Sequence, residues 1–547
     1  MEKYNKDLTR LAKGSGLSAI GDFFVLFVRL PMAFLTTHLF NSTALFGLYE
    51  FAFRATFFVR IIILPGTYEA IRRFLPMFKA DGNKPAVKGL LIYSFKLTAV
   101  LSLSVSSLLF IFAPRICSLL NQPEAYKYLR IFSITLPFYA FLYISVGAFT
   151  GIHRVKPQVF IEKIFVYGIR LLILFAFMFT ANQKVRSFAV LWSFPIAFGI
   201  GCFIALFLFF RTFKVVRDRS IKPEYHIREF HMYSLPLAAT GQINYLISFA
   251  GTFIIGYYCT KTDIGLYGIV THLSPLLSVA LYSSVIAFGP LISELYHLGR
   301  KDELARHYKF ITKWVFTFSL IIFVVYLLMT NPVLSVFGKG YSNSRTRLCL
   351  ILMSFAQLYS TASGPNGMIL SMTGKQNLNF YNSLLLMIIS ISLGFILVPN
   401  TGMFGGIVGA AIAQTIAIVG INTLCPIQLW HYRRMHPFSI AYLKPIVAGL
   451  LSYGIIYLLM HITGYGYYLN NYSPEGTHDS LILVFYVGIC ALLVLGLFAF
   501  FLFLFGLEDD DKFILRKLLT KITGTGIGKP QNTLDAIKNI DLDEKNK

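Results

Sequence analysis

The chain has 547 residues, 56% of them hydrophobic and only 14% charged, with 53 Phe and 31 Tyr. Soluble domains carry about a quarter charged residues, so the composition excludes a large soluble catalytic domain, and it leaves no room for a nucleic-acid-binding module despite a formal net charge of +24. At roughly 20 residues per crossing, about half the chain fits inside lipid as an all-α polytopic membrane protein of about 14 transmembrane helices.

Segment 1–16 brings Lys3, Lys6, Arg10 and Lys13 ahead of an apolar stretch that ends in no small-residue cleavage site. It therefore reads as the cytoplasmic flank of a first helix rather than a secretory signal. Residues 17–211 hold six spans: charge-bearing ones near 17–39, 46–70 and 160–181, and charge-free ones near 97–114, 131–152 and 187–210. A basic linker, 212–229, leads to six more within 230–430. Four of these are 230–260, 264–293, 314–338 and 348–374. The run 376–432 is too long for one crossing, and Pro399-Asn400-Thr401-Gly402 divides it into a hairpin. Two further helices fill 431–507. In the tail 508–547, Asp509 to Asp511 precede alternating apolar and basic residues, the pattern of a short amphipathic surface helix followed by a polar, disordered end.

The loops opposite the two termini hold only Arg115, Lys127, Arg130, Lys184, Arg186, Lys261, Lys339, Arg345 and Arg347, while most other Lys and Arg lie on the terminal side. The positive-inside rule then sets both termini in the cytoplasm, and the basic surplus reads as orientation signal and attraction to anionic headgroups. Gly47-Leu48-Tyr49 opens the second span and Gly265-Leu266-Tyr267 the eighth; Thr150-Gly151 ends the fourth and Thr373-Gly374 the tenth. These near-equal offsets predict two six-helix lobes with parallel pseudo-twofold symmetry plus two C-terminal helices. Prolines inside spans, including Pro31, Pro65, Pro137 and Pro275, free backbone carbonyls that lipid cannot satisfy, so the bent helices are expected to surround a wet cavity. The six cysteines stand singly, without metal-ligand spacing. With no Walker A, His-Glu-x-x-His or Gly-x-Ser-x-Gly motif, no enzyme is expected, nor any cofactor beyond a coupling ion, Na+ or H+.

Ionisable groups within spans are expensive and mark function. Here Asp22 and Arg29 lie in the first span, Glu50, Arg54 and Arg60 in the second, Lys96 in the third and Arg170 in the fifth. The second half offers neutral groups instead, among them His272, Gln357, Asn366, Gln414 and Asn422. Glu50 and Arg54 share a helix face at i, i+4, and Asp22 and Arg29 share one two turns apart. Five basic side chains against two acidic ones exceed what ion pairing needs. Guanidinium forks match phosphate oxygens and stay charged in a dry site, so these residues predict a cavity for a phosphate or diphosphate. In the competing reading, Arg54 and Arg29 merely neutralise Glu50 and Asp22, and Lys96 snorkels to the cytoplasmic surface.

Leu11-Ala12-Lys13-Gly14-Ser15-Gly16-Leu17, Gly47-Leu48-Tyr49, Arg73-Phe74-Leu75-Pro76, Gly364-Pro365-Asn366-Gly367, Met372-Thr373-Gly374-Lys375-Gln376 and the glycine-rich Gly405 to Ala411 occur in this order. Together they resemble the polysaccharide flippase branch of the multidrug/oligosaccharidyl-lipid/polysaccharide exporter superfamily. The resemblance implies alternating access in a bacterial cytoplasmic membrane, with a polyprenyl-diphosphate-linked oligosaccharide as cargo and membrane lipids, a polysaccharide polymerase or glycosyltransferases as partners. It also implies that the paired last helices guide the lipid tail, that Arg29, Arg54 and Arg170 hold the diphosphate with Arg60 and Lys96 assisting, and that Asp22 and Glu50 serve as counterions or ion-coupling groups. Alternatives are a peptidoglycan lipid-precursor flippase, a cation-coupled multidrug exporter of the same superfamily, and a polytopic glycosyltransferase or its scaffold.

Overall fold

The computed structural model describes residues 21–25, 27–152, 154–466, 472, 474 and 476–506. The expected N-terminal segment 1–16 and the amphipathic tail 508–547 lie outside these. The described residues form helices and their connections, with no strand among them, as lipid requires of backbone groups that must be satisfied within their own segment. Among the described residues, ten helices are long and apolar enough to cross a membrane.

Helix α1 (Gly21–Phe40) turns through Asn41, at a φ of 48°, into α2 (Thr43–Phe58), whose first turn is capped by Ser42 Oγ on the Leu45 amide. The second span, expected over 46–70, stops early. After one turn at Arg60–Ile63 the chain breaks at Leu64-Pro65-Gly66, where Gly66 has a φ of 70° and opens α3 (Thr67–Ala80). A Cβ on Gly66 would lie 2.1 Å from the Ser234 carbonyl oxygen, so both its backbone and its neighbour require glycine. Helix α3 buries Ile71, Phe74 and Leu75 and exposes Arg72 and Arg73.

Helices α4 (Lys84–Leu119) and α5 (Tyr126–Gly151) pack closely. Ser94, Thr98, Ser102 and Ser106 recur every fourth residue on the buried face of α4, small enough for near backbone approach, and Ser106 Oγ donates to the Ser133 carbonyl of α5 at 2.7 Å. A π-helical stretch, Gln158–Phe165, precedes α6 (Val166–Met178), and α7 (Gln183–Thr212) is the last helix before the basic linker; the helices before and after that linker are called the first and second lobes. The linker is strapped to the base of α4. Lys88 Nζ donates to the carbonyls of Asp218 and of Ile221, the latter at 3.0 Å, and the Glu224 amide donates to the Pro85 carbonyl at 3.0 Å.

Helix α8 (Ile227–Tyr258) leads through a capping box at Thr260 and Asp263 into α9 (Lys261–Leu273). Pro275 sits in a 3₁₀ turn, Ser274–Ser278, that re-aims the chain into α10 (Val279–His297). Beyond α11 (Lys301–Leu328), α12 (Ser344–Ser363) ends earlier than the expected span 348–374. Gly364, at a φ of 68°, breaks the helix. Thr373-Gly374 consequently falls in a second π stretch, Ser371–Lys375, at the start of α13 (Gln376–Leu397) rather than at the end of its predecessor. The hairpin turn lies where expected, between α13 and α14 (Gly406–Arg433). Helices α15 (Leu443–Ile462) and α16 (Thr477–Leu504) follow. One apolar core runs through both lobes; smaller ones close the base of the first lobe around Ile71, Leu91 and Phe149, and that of the second around Ile292, Tyr308 and Leu429.

Candidate functional site

The two Gly-Leu-Tyr segments meet face to face. A Cβ on Gly47 would lie 1.8 Å from the Lys261 carbonyl oxygen, and one on Gly265 would lie 2.2 Å from that of Thr43. Helices α2 and α9 therefore cross with backbones touching, which only glycine permits. Around this crossing the loop between α4 and α5 reaches the second lobe: Gln122 Nε2 donates to the Gly256 carbonyl at 2.8 Å, and Lys261 meets Glu124 at 2.6 Å. The lobes are sealed at the end of the bundle where α2 begins.

One turn deeper, the seal becomes ionic. Arg54 Nε donates to Glu50 Oε2 at 3.0 Å, Nη1 to Thr252 Oγ1 of α8 at 2.7 Å and Nη2 to Thr271 Oγ1 of α9 at 2.6 Å. Phe249 lies 4.7 Å under the guanidinium. Arg54 is 1% exposed. The second carboxylate oxygen of Glu50 lies 2.9 Å from His272 Nε2, while Arg29 Nε donates to His272 Nδ1 at 3.1 Å. Because arginine can only donate, the imidazole proton sits on Nε2 and points at Glu50. Arg29, His272, Glu50 and Arg54 thus form one chain across the lobe interface.

Arg29, Glu50, Arg170 and His272 line a cavity of about 200 Å³, walled further by Tyr49, Phe53 and Tyr167. Arg170 donates to the Tyr49 hydroxyl and stacks 5.0 Å over Phe194, and its buried Nε has no acceptor among the described residues. An orphaned guanidinium N–H beside a cavity is a donor awaiting an acceptor. Since Glu50 answers Arg54, the cavity wall presents the charges of Arg29 and Arg170 without a carboxylate of their own.

Of the residues expected to bind cargo, the structure brings Arg29 and Arg170 to this cavity and sets Arg54 behind its wall with its guanidinium committed. Arg60 is exposed at the end of α2, against Tyr139 and Tyr143. Lys96 stands on an exposed face of α4. Asp22 shares a helix face with Arg29, yet its partner is Lys163 of the π stretch, at 2.7 Å. Lys163 and Glu162 fall inside the expected charge-bearing span near 160–181, yet neither was singled out as a site residue. His272 was noted only as a neutral polar group.

Helix α1 has a second lined face. Phe23, Phe27, Leu30 and Phe34 border an apolar groove of about 610 Å³, closed on its far side by Val333, Phe337 and, from α16, Leu481 and Val484. A single helix separates the charged cavity from this groove.

This all-helical fold, with its many apolar helices, is that of a multi-pass membrane protein. It is similar to a solved structure described as "Lipid II flippase MurJ, inward closed conformation", with a TM-score of 0.62 at 16% identity over 88% of this chain and 98% of that one. It is also similar to an inward-facing multidrug resistance MATE family transporter of the MOP superfamily (TM-score 0.54, 13% identity, 78% and 99% covered). A MOP superfamily transporter from Pyrococcus furiosus, described as having a binding pocket of reverse polarity, is similar too (0.51, 16%, 78% and 96%).

Residues 11–296, more than half of the chain, match the family described as "Polysaccharide biosynthesis protein", and the chain belongs to it, within the polysaccharide flippase branch of the MOP superfamily. Residues 236–396 match MatE. The "Capsular polysaccharide biosynthesis protein CapF" of Staphylococcus aureus is 23% identical over 263 residues, 46% of this chain and 63% of that protein, so the match spans less than two thirds of the relative's length. Family and fold are those of transporters rather than enzymes.

Proposed function

We propose that the protein carries a polyprenyl-diphosphate-linked oligosaccharide from the cytoplasmic to the outer leaflet of a bacterial cytoplasmic membrane by alternating access, for cell-surface polysaccharide synthesis. The observation that carries this is the division of labour across α1: guanidinium groups with an unclaimed donor on one face, an apolar groove bounded by α16 on the other. A diphosphate head fits the first and an isoprenoid tail the second. A lipid-linked peptidoglycan precursor shares this linkage chemistry. A cationic drug would meet Arg29 and Arg170 as like charges, which disfavours a multidrug exporter.

Under this reading α2, the run from Val155 to Met178, α8 and α12 are the crossings that complete fourteen. The six-helix units 17–211 and 230–430 are the rocking lobes, both termini are cytoplasmic, and the seal at Gly47 and Gly265 is the closed outer gate. Polymerases and glycosyltransferases are its expected neighbours in the pathway.

The test is depletion in the native host followed by mass spectrometry of polyprenyl-linked intermediates. Accumulation of one complete repeat unit in the cytoplasmic leaflet is expected. An unchanged lipid pool with raised sensitivity to cationic dyes would turn the assignment to drug export, and truncated units would point to a missing transferase step.

A further inference from the structure

Three carboxylates lie within the helices of the first lobe around its interior. Asp22 is neutralised by Lys163 at 2.7 Å. Glu50 is held between Arg54 and His272, both at 2.9 Å. Glu162 differs. Its Oε2 is shut off from solvent and has no hydrogen-bond partner among the described residues. The groups facing it are Tyr143 of α5, Gln158 and Lys163 of its own π stretch, Asp22 of α1, Tyr139 of α5, Tyr167 of α6 and Tyr68 of α3. Of these, Lys163 pairs with Asp22, and Gln158 Nε2 donates to the Tyr68 hydroxyl at 3.1 Å.

An ionised carboxylate whose oxygen is buried without a donor is strongly disfavoured, whereas the neutral acid leaves no buried charge and escapes the larger part of that penalty. The local backbone suits such a device. A π stretch inserts an extra residue per turn and recurs at functional positions; here it sends Lys163 toward α1 and Glu162 toward the tyrosines. Those tyrosines also supply a route. Tyr139 and Tyr143 lie with ring centroids 4.3 Å apart, and Arg60, exposed at the end of α2, borders both. Phenol hydroxyls both donate and accept, so these two tyrosines are groups able to relay a proton between this exposed edge and Glu162.

We propose that Glu162 is the proton-carrying carboxyl of this transporter, neutral in the conformation described and ionised when lobe movement lets water or a cation reach its Oε2. Each cycle would bind one proton, converting the carboxylate to the acid, and release it on the opposite face; no other bond changes. The proposal names the coupling ion and rests on the transport reading above. It also moves that role away from Asp22 and Glu50, both of which already have cationic partners.

The test has a spectroscopic arm independent of cargo. Full-length protein in lipid is titrated with pH and followed by infrared difference spectroscopy for the carbonyl band of a neutral carboxyl. Wild type should show that band at neutral pH, Glu162→Gln should lose it, and Asp22→Asn and Glu50→Gln should keep it. Absence of the band in wild type, its survival in Glu162→Gln, or its removal by Na+ at constant pH would overturn the proposal, the last pointing to a metal-cation site. Should Glu162→Gln fail to fold, Tyr143→Phe and Glu162→Asp serve instead; each should shift the band, and an unshifted band in both would count against Glu162.

In proteoliposomes with lipid-linked diphosphate cargo, an imposed pH gradient should accelerate wild-type transport several-fold and leave Glu162→Gln unaffected. Equal gradient dependence in both would defeat the coupling role. If wild type moves no such lipid, the transport reading fails, and the infrared arm still decides whether Glu162 holds the proton.

Discussion

The first lobe buries Glu50, Arg54, Lys163 and Arg170 among its helices, whereas the second buries the single charge of Lys313 on α11 among the described residues and otherwise answers its interior polar needs with amides and hydroxyls. There Asn366 Nδ2 donates to Asn422 Oδ1 at 3.1 Å, Asn382 and Gln428 exchange hydrogen bonds at 2.8 and 3.0 Å, and Ser278 donates to Gln357 at 2.6 Å. Paired amides satisfy one another and leave no net field, so they fix helix positions without attracting an ion. Buried guanidinium groups are costly unless something negative answers them, and in the first lobe the answer is only partly supplied by the protein. Under the proposed function, the polarity difference gives recognition of an anion to the first half and support to the second.

Substitutions can break this contrast or sharpen it. Arg54→Ala strands Glu50 in the lobe seal, and loss of one partner of a buried ion pair costs on the order of 3–5 kcal/mol; a marked fall in melting temperature in detergent is expected. Gly47→Leu forces a side chain into the Lys261 backbone. Overpacking costs about 1–3 kcal/mol, here borne mainly by the conformation in which the lobes touch, so cysteines placed at the end of the bundle where α2 begins should become more accessible to membrane-impermeant thiol reagents. Arg29→Ala and Arg170→Ala each remove charge-assisted hydrogen bonds worth roughly 1.5–3 kcal/mol, and pyrophosphate binding by the purified protein should weaken by about one to two decades with the fold intact. Asn382→Ala in the second lobe should lower stability by about 1 kcal/mol and leave pyrophosphate affinity unchanged; equal loss of affinity there would erase the distinction between lobes. Lys96→Gln, on an exposed helix face, should change neither measurement.

Much of the fold was legible because it rests on local signals. Charge-free runs located most helices, Pro399 to Gly402 located the hairpin turn, and the recurrence of Gly-Leu-Tyr marked two segments that come into contact. The i, i+4 spacing of Glu50 and Arg54 anticipated their ion pair. Where partners are distant in the chain the signal failed. Asp22 and Arg29 share a face, yet one turns to Lys163 and the other to His272, 243 residues away, and no periodicity carries that information. Arg54 looked like a cavity residue for the same reason: hydroxyls on α8 and α9 claim its donors, and neither Thr252 nor Thr271 stands out in sequence. The early ends of the second and tenth spans turned on positive φ angles at Gly66 and Gly364, which hydropathy does not register.

The strap at Lys88 has a mechanical consequence. With the carbonyls of Asp218 and Ile221 and the amide of Glu224 tied to the base of α4, most of the linker is held against the first lobe, and only Tyr225 and His226 separate the tied segment from α8. The lobes are joined by a short pivot rather than a slack tether. Residues inserted between Arg217 and Lys222 would lengthen only a bound loop, whereas the same number inserted after Glu224 would lengthen the lever itself and loosen the swing of one lobe against the other.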